Sequence, residues 1–272
     1  MILVTGSTGN VGRALVKELV DAGAEVRGLT RNAAGVDLPG AQVVEGDLGR
    51  AESLGEALAG VKGIFLFQCG NEAAVLRAAK EAGVERVVLL STVATKTRPE
   101  STIGHDHLQA EHAIADSGLS WTSLRPGGFA SNTLGWAPMV QGGVVHAPFA
   151  DVALPTIHPG DIAAVARAAL LEDGHDNRVY QLTGPELVTP GQQVAAIGKA
   201  IGRELEYVEI SREAAREAMI AHMPAEIVDA TLDFIGSPTE EELHIVPTVE
   251  KVTGKPARSY EQWALENADR FR

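Results

Sequence analysis

The residues best suited to chemistry lie in one short run, Val4-Thr5-Gly6-Ser7-Thr8-Gly9-Asn10-Val11-Gly12, whose glycines are spaced G-x-x-G-x-x-G. Apolar Ile2-Leu3-Val4 precedes the run, and Val11, Leu15, Leu19 and Val20 mark one face of a helix after it. A glycine turn between a strand and a helix lets backbone approach a pyrophosphate. The helix start adds free N–H groups and the positive end of its dipole. Gly6, Ser7, Thr8, Gly9, Asn10, Val11 and Gly12 are therefore expected to bind a dinucleotide. The second strand ends Leu29-Thr30-Arg31-Asn32, with no acid before Asp37. An acid there would hold a ribose 2′-hydroxyl, whereas Arg31 could pair with a 2′-phosphate or be a solvated arginine. NADP(H) is thus expected ahead of NAD(H). Gly46-Asp47-Leu48 follows the third strand, where a side chain can reach adenine; Asp47 could instead cap the helix near Arg50.

These residues need a scaffold that brings strand ends together. Short apolar runs fall at 1–5, 25–29, 42–45, 63–67, 86–90 and 120–124. Amphipathic stretches, among them 73–82 and 108–115, separate most of them. Buried strands alternating with helices predict a parallel sheet covered on both faces. The fold class read from this is α/β, a Rossmann-type doubly wound sheet. The second half is less regular. Residues 126–155 are rich in glycine and proline and read as a long excursion. A helix is predicted at 161–171, a strand at 179–182, and a helix from Pro190 to about Ala200 behind the N-cap Thr189. A strand at 205–210, helices near 212–222 and 225–235, and a Ser259-x-x-Gln262 capping box complete the pattern. With no repeat or low-complexity linker, a single NAD(P)-binding domain is expected over 1–272. Its core would span about 1–125 and part of 155–182, and a small irregular C-terminal substrate cap would come from about 126–154 and 183–258.

Composition narrows the partners. A formal net charge of −13 repels nucleic-acid phosphates and anionic lipid, and no lysine- or arginine-rich run relieves it. The single cysteine, Cys69, excludes an internal disulfide and fits a reducing compartment. It is read as an inert thiol rather than a reactive one. No basic leader precedes the first strand and no run approaches the ~20 apolar residues of a membrane span, so a cytoplasmic location is expected. His105, Asp106, His107, Glu111 and His112 have the composition of a metal cluster. Only His107 and Glu111 share a face at i,i+4, which is too few ligands, so no metal is expected. Ser91 lies outside any G-x-S-x-G elbow, which argues against a hydrolase triad.

The chain resembles the NmrA-like branch of the atypical short-chain dehydrogenases, close to NAD(P)H-dependent quinone oxidoreductases. The resemblance covers almost the whole chain. It rests on the Gly6–Gly12 loop, Gly46-Asp47-Leu48, Ser117-Gly118-Leu119-Ser120-Trp121-Thr122, Leu124-Arg125-Pro126 and Phe129-x-x-Asn132. Asp161-Ile162-Ala163, Tyr180-Gln181-Leu182-Thr183-Gly184-Pro185 and Val252-Thr253-Gly254-Lys255-Pro256 extend it. The resemblance implies that Gln68, with Cys69 beside it, faces the cofactor's ribose or pyrophosphate. It places Ser91 and Thr92 near the nicotinamide, and Pro126 to Phe129 flanking that ring and opening the substrate pocket. Each is also explicable as ordinary strand-end or turn chemistry.

The same resemblance exposes a gap. Typical short-chain dehydrogenases use Tyr-x-x-x-Lys, the lysine lowering the phenol pKa and the tyrosine exchanging a proton with substrate. Glu111 matches the glutamate four residues after that lysine, which puts His107 at the lysine position and Ile103 at the tyrosine position. The tyrosines present are Tyr180, Tyr207 and Tyr260, and none stands in such a motif. Reducing a plain ketone gains roughly 10²–10⁴-fold from a placed acid, whereas a quinone accepts hydride as a stabilised phenolate. The expected activity is NADPH-dependent hydride transfer to a quinone-like or other conjugated small-molecule acceptor. Phe129, Asn132, Trp136 and Phe149 would line its pocket, or else pack the cap on the sheet. His107 could supply the proton, bond the ribose, or be a plain polar helix residue; Ser91 and Thr92 are the other catalytic candidates. The alternatives are an NADP(H)-binding redox sensor acting through a protein partner and a biosynthetic tailoring reductase or isomerase. The chain is expected to be a monomer or homodimer.

Overall fold

β1 (Ile2–Val4) is buried along its length and passes through the glycine turn into α1 (Asn10–Asp21). β2 (Val26–Thr30) and β3 (Gln42–Glu45) follow, then a 3-10 turn at Ala51–Leu54 and α2 (Gly55–Leu58). The half closes with β4 (Gly63–Phe67), α3 (Glu72–Glu81), β5 (Arg86–Leu90), α4 (Ala94–Thr97), α5 (Thr102–Asp116) and β6 (Ser120–Pro126). The structure, a computed structural model, describes residues 1–272. The second half holds a 3-10 segment at Ala130–Trp136, α6 (Ala137–Gly142), β7 (Val144–Ala147), α7 (Pro159–Leu171), β8 (Arg178–Leu182), α8 (Pro190–Ile201) and β9 (Glu206–Glu209). It ends with α9 (Arg212–Ile220), α10 (Ala225–Gly236), α11 (Glu240–Leu243), α12 (Thr248–Thr253), α13 (Tyr260–Glu266) and a 3-10 turn at Ala268–Arg270.

Seven parallel strands form one sheet in the order β3-β2-β1-β4-β5-β6-β8. The sheet is the expected doubly wound Rossmann type, and its order reverses between β1 and β4. Successive strand residues face opposite sides, so both sides must be apolar when both are covered. Val4, Phe65, Val88, Leu90 and Leu124 pack against Leu15 and Leu19 of α1 and Ile162 and Ala166 of α7. Leu3, Ile64, Leu66, Val87 and Leu89 pack against Leu58, Val75, Leu76 and Ile114 on the other side. Each such side chain contributes ~1.5–3 kcal/mol on burial. This two-sided burial explains why the strands read as unbroken apolar runs.

The excursion after β6 is more ordered than its composition predicts. It contains the 3-10 segment, α6 and β7, and β7 pairs in parallel with β9 in a separate two-stranded sheet. That pairing joins Val144 to Glu206, a tertiary contact that four local residues cannot announce. Val140 and Val145 share a third core with Val194 and Ile197 of α8 and with Tyr260, Trp263 and Phe271. α9 and α10 form a hairpin around Ala215, Val228 and Leu232. The Thr189 N-cap is a full capping box with Gln192, whereas the one expected at Ser259 is half formed. Ser259 Oγ accepts from the Gln262 amide at 3.1 Å, but the Gln262 side chain donates to Glu266 at 2.9 Å instead of reaching back. No helix is long and apolar enough to cross a membrane.

Candidate active site

The glycine turn sits at the C-terminal edge of β1, beside the point where strand order reverses. Such switch points open a crevice in doubly wound sheets. Gly6 adopts φ +59°, which only glycine reaches without strain, and its carbonyl accepts from the Gly9 amide at 2.9 Å. A Cβ on Gly12 would lie 2.7 Å from the Gly6 carbonyl carbon and 2.9 Å from Ser7 Cα, so α1 meets the turn backbone to backbone. Gly6, Thr8, Gly9 and Asn10 are exposed, and no side chain caps the start of α1. Its first-turn amides are therefore open to an anion. Ser7 and Val11 are buried: Ser7 Oγ donates to the Leu29 carbonyl at 2.9 Å, and Val11 packs in the core below. The Ser7 hydroxyl thus fastens the turn to β2.

Arg31 is exposed just past β2, and no carboxylate pairs with it. The following turn is held by Asn32 Oδ1, which accepts from the Ala34 amide at 2.9 Å, and by Glu45, which accepts from the Ala33 amide at 2.9 Å. Past β3, Asp47 is engaged in its own turn, accepting from the Gly49 amide at 3.0 Å and lying 3.4 Å from Arg50. Leu48 packs on the second core while its carbonyl accepts from Asn71 Nδ2 at 3.0 Å. At the end of β4, Phe67 is half exposed and its side chain lies 3.7 Å from the Cβ position of Gly6. Gln68 and Cys69 are half-buried, and Glu72 accepts the amides of Cys69 at 2.5 Å and Gly70 at 3.0 Å. Burial, with Glu72 adding to it, pushes the Cys69 thiol up to about 11.

At the ends of β5 and β6 the side chains facing α5 converge on Glu111. Its carboxylate accepts from Ser91 Oγ at 2.5 Å, Ser123 Oγ at 2.8 Å and Arg125 Nε at 2.9 Å, with a second Arg125 bond at 2.5 Å. Burial alone would push this carboxyl up, but the bonds from Arg125, Ser91 and Ser123 outweigh it and hold it low. Ser91 is therefore buried with its proton committed to Glu111, while Thr92 is half-buried and its Oγ accepts from the Ala94 amide at 3.3 Å. His107 lies one helical turn from Glu111 on the same face. Its Nδ1 sits 2.9 Å from the Ile103 carbonyl, so Nδ1 carries the proton and Nε2 is left as the basic nitrogen. Pro126 is buried, and Phe129 packs on the first core beside its bridge to Ile157. Asn132 is exposed on the 3-10 segment, and Trp136 packs on the third core. Phe149 has φ +64° and packs with the α9–α10 cluster, its ring against Gly236.

The structure therefore gathers Gly6–Gly12, Arg31, Asp47, Leu48, Gln68, Cys69, Ser91, Thr92 and Pro126–Phe129 along one sheet edge, with His107 above Glu111. It places Trp136 and Phe149 in packing clusters outside the sheet. Sequence reading missed Phe67, Glu72 and Arg125. Arg125, the one charged residue of β6, was the available signal for the last. A model of the NmrA-like family matches residues 1–262.

The chain belongs to the NmrA-like family.

Among relatives of this NmrA-like protein is the (4-alkanoyl-5-oxo-2,5-dihydrofuran-3-yl)methyl phosphate reductase of Streptomyces griseus. It is 39% identical over 100% of this chain and 99% of that protein. The NAD(P)H azoreductase of Xenophilus azovorans is 34% identical over 100% of this chain and 99% of its own. An NADPH-dependent quinone oxidoreductase of Escherichia coli, solved with NADPH, superposes with TM-score 0.80 at 27% identity, covering 98% of this chain and 99% of that one.

Proposed function

We propose that this NmrA-like protein is an NADPH-dependent reductase of conjugated, quinone-like small molecules. The observation that carries the reading is the backbone cradle at Gly6–Gly12, with the unpaired cation Arg31 at its adenosine end. The residues fit a dinucleotide: Gly6 at positive φ and a Gly12 with no room for a Cβ shape the turn, and the amides beginning α1 have no side-chain partner. Gly6, Thr8, Gly9 and Asn10 would hold the pyrophosphate and Arg31 the 2′-phosphate, with Leu48 beneath the adenine. Gln68 and Cys69 would face the ribose, and Thr92 and Pro126–Phe129 the nicotinamide. NADPH, when bound, supplies the hydride. The three relatives act, by their names, on an acylated oxo-dihydrofuran, an azo compound and a quinone. All three are π-systems that take hydride as a delocalised anion and need no phenolic acid, in keeping with Ile103 and His107 where tyrosine and lysine usually stand. His107 would relay the proton: its Nδ1–H bond to Ile103 leaves Nε2 free to take a proton from water and pass it to the reduced acceptor, returning to the neutral ring. Ser91 keeps Glu111 in place rather than touching substrate.

The test is NADPH consumption across a quinone panel, with NADPH and NADH affinities measured for wild type and Arg31→Glu. Turnover is expected, with NADPH binding weakened at least ~10-fold in the variant and NADH little changed, a difference of about 1.4 kcal/mol. Tight binding of NADPH without consumption on any acceptor would replace the reductase with a sensor. Equal loss for both cofactors would remove Arg31 from the 2′-phosphate.

A further inference from the structure

Phe234 has no place in the packing that surrounds it. On α10, Val228 and Leu232 are buried toward Ala215, and Ile235 packs with them. Phe234 belongs to none of the four apolar clusters and stays half-buried. Its ring reaches back to the sheet instead. Cε1 lies 3.9 Å from the Cβ position of Gly128, two residues past β6, and Thr156 Cγ2 lies 3.8 Å from the same point. A bare stretch of backbone at the crevice edge thus faces an aromatic ring that α10 carries in from outside the sheet.

The ring is held there from two sides. Arg98 sits 6.0 Å from its centroid, at cation–π range. Arg98 is itself fixed: Nε and Nη2 donate to the buried Glu242 at 2.8 and 2.9 Å, and Nη2 also donates to the Ser237 carbonyl at 2.6 Å. Glu242 accepts further from Thr97 Oγ at 2.6 Å and from the Thr239 amide at 2.8 Å. On the other side, Phe149 presses its ring against the Cβ position of Gly236 and so anchors the end of α10, two residues beyond Phe234. The cations of this region are all neutralised: Arg98 by Glu242, Lys96 by Glu241 and Arg125 by Glu111.

We propose that Phe234 is the stacking surface of the acceptor subsite and selects flat, uncharged ligands with at least two fused rings. The proposal rests on the reductase reading for which end of the crevice the acceptor occupies. A fused bicycle brings more apolar π-surface to an offset stack on the ring than a single ring does, and offset stacking adds to simple burial. An anionic acceptor finds no unpaired lysine or arginine here. Phe149, Arg98 and Glu242 are positioning residues that act through Phe234.

The test uses NADP⁺-loaded full-length protein titrated calorimetrically with menadione, a fused bicycle, and with duroquinone, a single ring. Wild type is expected to favour menadione. Phe234→Leu should weaken menadione about tenfold, Phe234→Tyr should keep its affinity, and the NADPH Kd should stay constant in both. In wild type with labelled phenylalanine, NOEs should connect the menadione methyl group to the Phe234 ring, a readout independent of how the variants fold. Unchanged menadione affinity in Phe234→Leu, equal loss in Phe234→Tyr, absent NOEs, or failure of menadione to bind would each overturn the proposal. Ring-dependent binding with no quinone turnover would sink the reductase reading and leave Phe234 in place. Turnover with indifference to residue 234 would do the reverse.

Discussion

Replacing Glu111 with alanine should destabilise the protein by about 3–5 kcal/mol, the usual loss when one partner of a buried ion pair is removed. The structure shows where this comes from. The Glu111 side chain is 9% exposed and that of Arg125 20%, and the carboxylate also takes the protons of Ser91 and Ser123, both buried. Alanine strands a guanidinium and two hydroxyls, and each unsatisfied buried hydroxyl alone costs about 1–3 kcal/mol. For a chain of this size the thermal midpoint should fall by roughly 10 °C. Urea melts of Glu111→Ala, Arg125→Met and Glu111→Leu/Arg125→Met measure it. The double variant, which leaves no orphan charge, should recover at least ~2 kcal/mol of the single variant's loss. The acid limb offers a second check. The Glu111 carboxyl lies below its ordinary value of 4.5. The stability it contributes is therefore present above that value and disappears as pH falls through the lower, folded-state pKa. Glu111→Ala should flatten this part of the pH profile. A loss below ~1 kcal/mol, or single and double variants of equal stability, would refute the pairing argument.

Gly12→Ala drives a Cβ into the Gly6 and Ser7 backbone, so NADPH affinity should fall at least ~10-fold and the melting temperature should drop; fluorescence titration and a thermal melt check both. His158 N-caps α7 through unprotonated Nδ1, which accepts from the Gly160 amide at 2.9 Å, and burial followed by the Arg258 charge holds its pKa below 6.5. Its stabilising share is present above 6.5 and is lost as pH falls from there through the lower, folded-state pKa, so His158→Asn, still an N-cap, should melt with a flatter slope between pH 7 and pH 5. With its thiol near pKa 11, Cys69 should react with iodoacetamide at pH 8 on the order of 100-fold more slowly than an ordinary thiol, and native labelling matching the unfolded rate would contradict its burial.

Much of the fold was legible because the sheet is buried on both faces. β3, β4 and β5 begin and end at the predicted residues 42–45, 63–67 and 86–90. The glycine turn was legible because its geometry excludes any Cβ, so glycine types at fixed spacing report a backbone shape directly. The excursion was not legible. β7 is four residues long and owes its strand to β9, about sixty residues later. The Glu111 hub stayed hidden for the same reason. Ser91 follows β5 while Ser123 and Arg125 lie on β6, and only lateral pairing of β5 with β6 brings them under one helix.

The amino-acid order by itself determined the alternation of strand and helix, the glycine turn, the lack of an acid at residue 31 and the missing tyrosine and lysine. These are local matters of backbone shape and residue type. Tertiary structure alone decided that Ser91 serves Glu111, that Phe149 packs on α10, and that Phe234 leaves its own hairpin to face Gly128. The direction of a side chain depends on which distant surface packs against it, and no neighbouring residue carries that information.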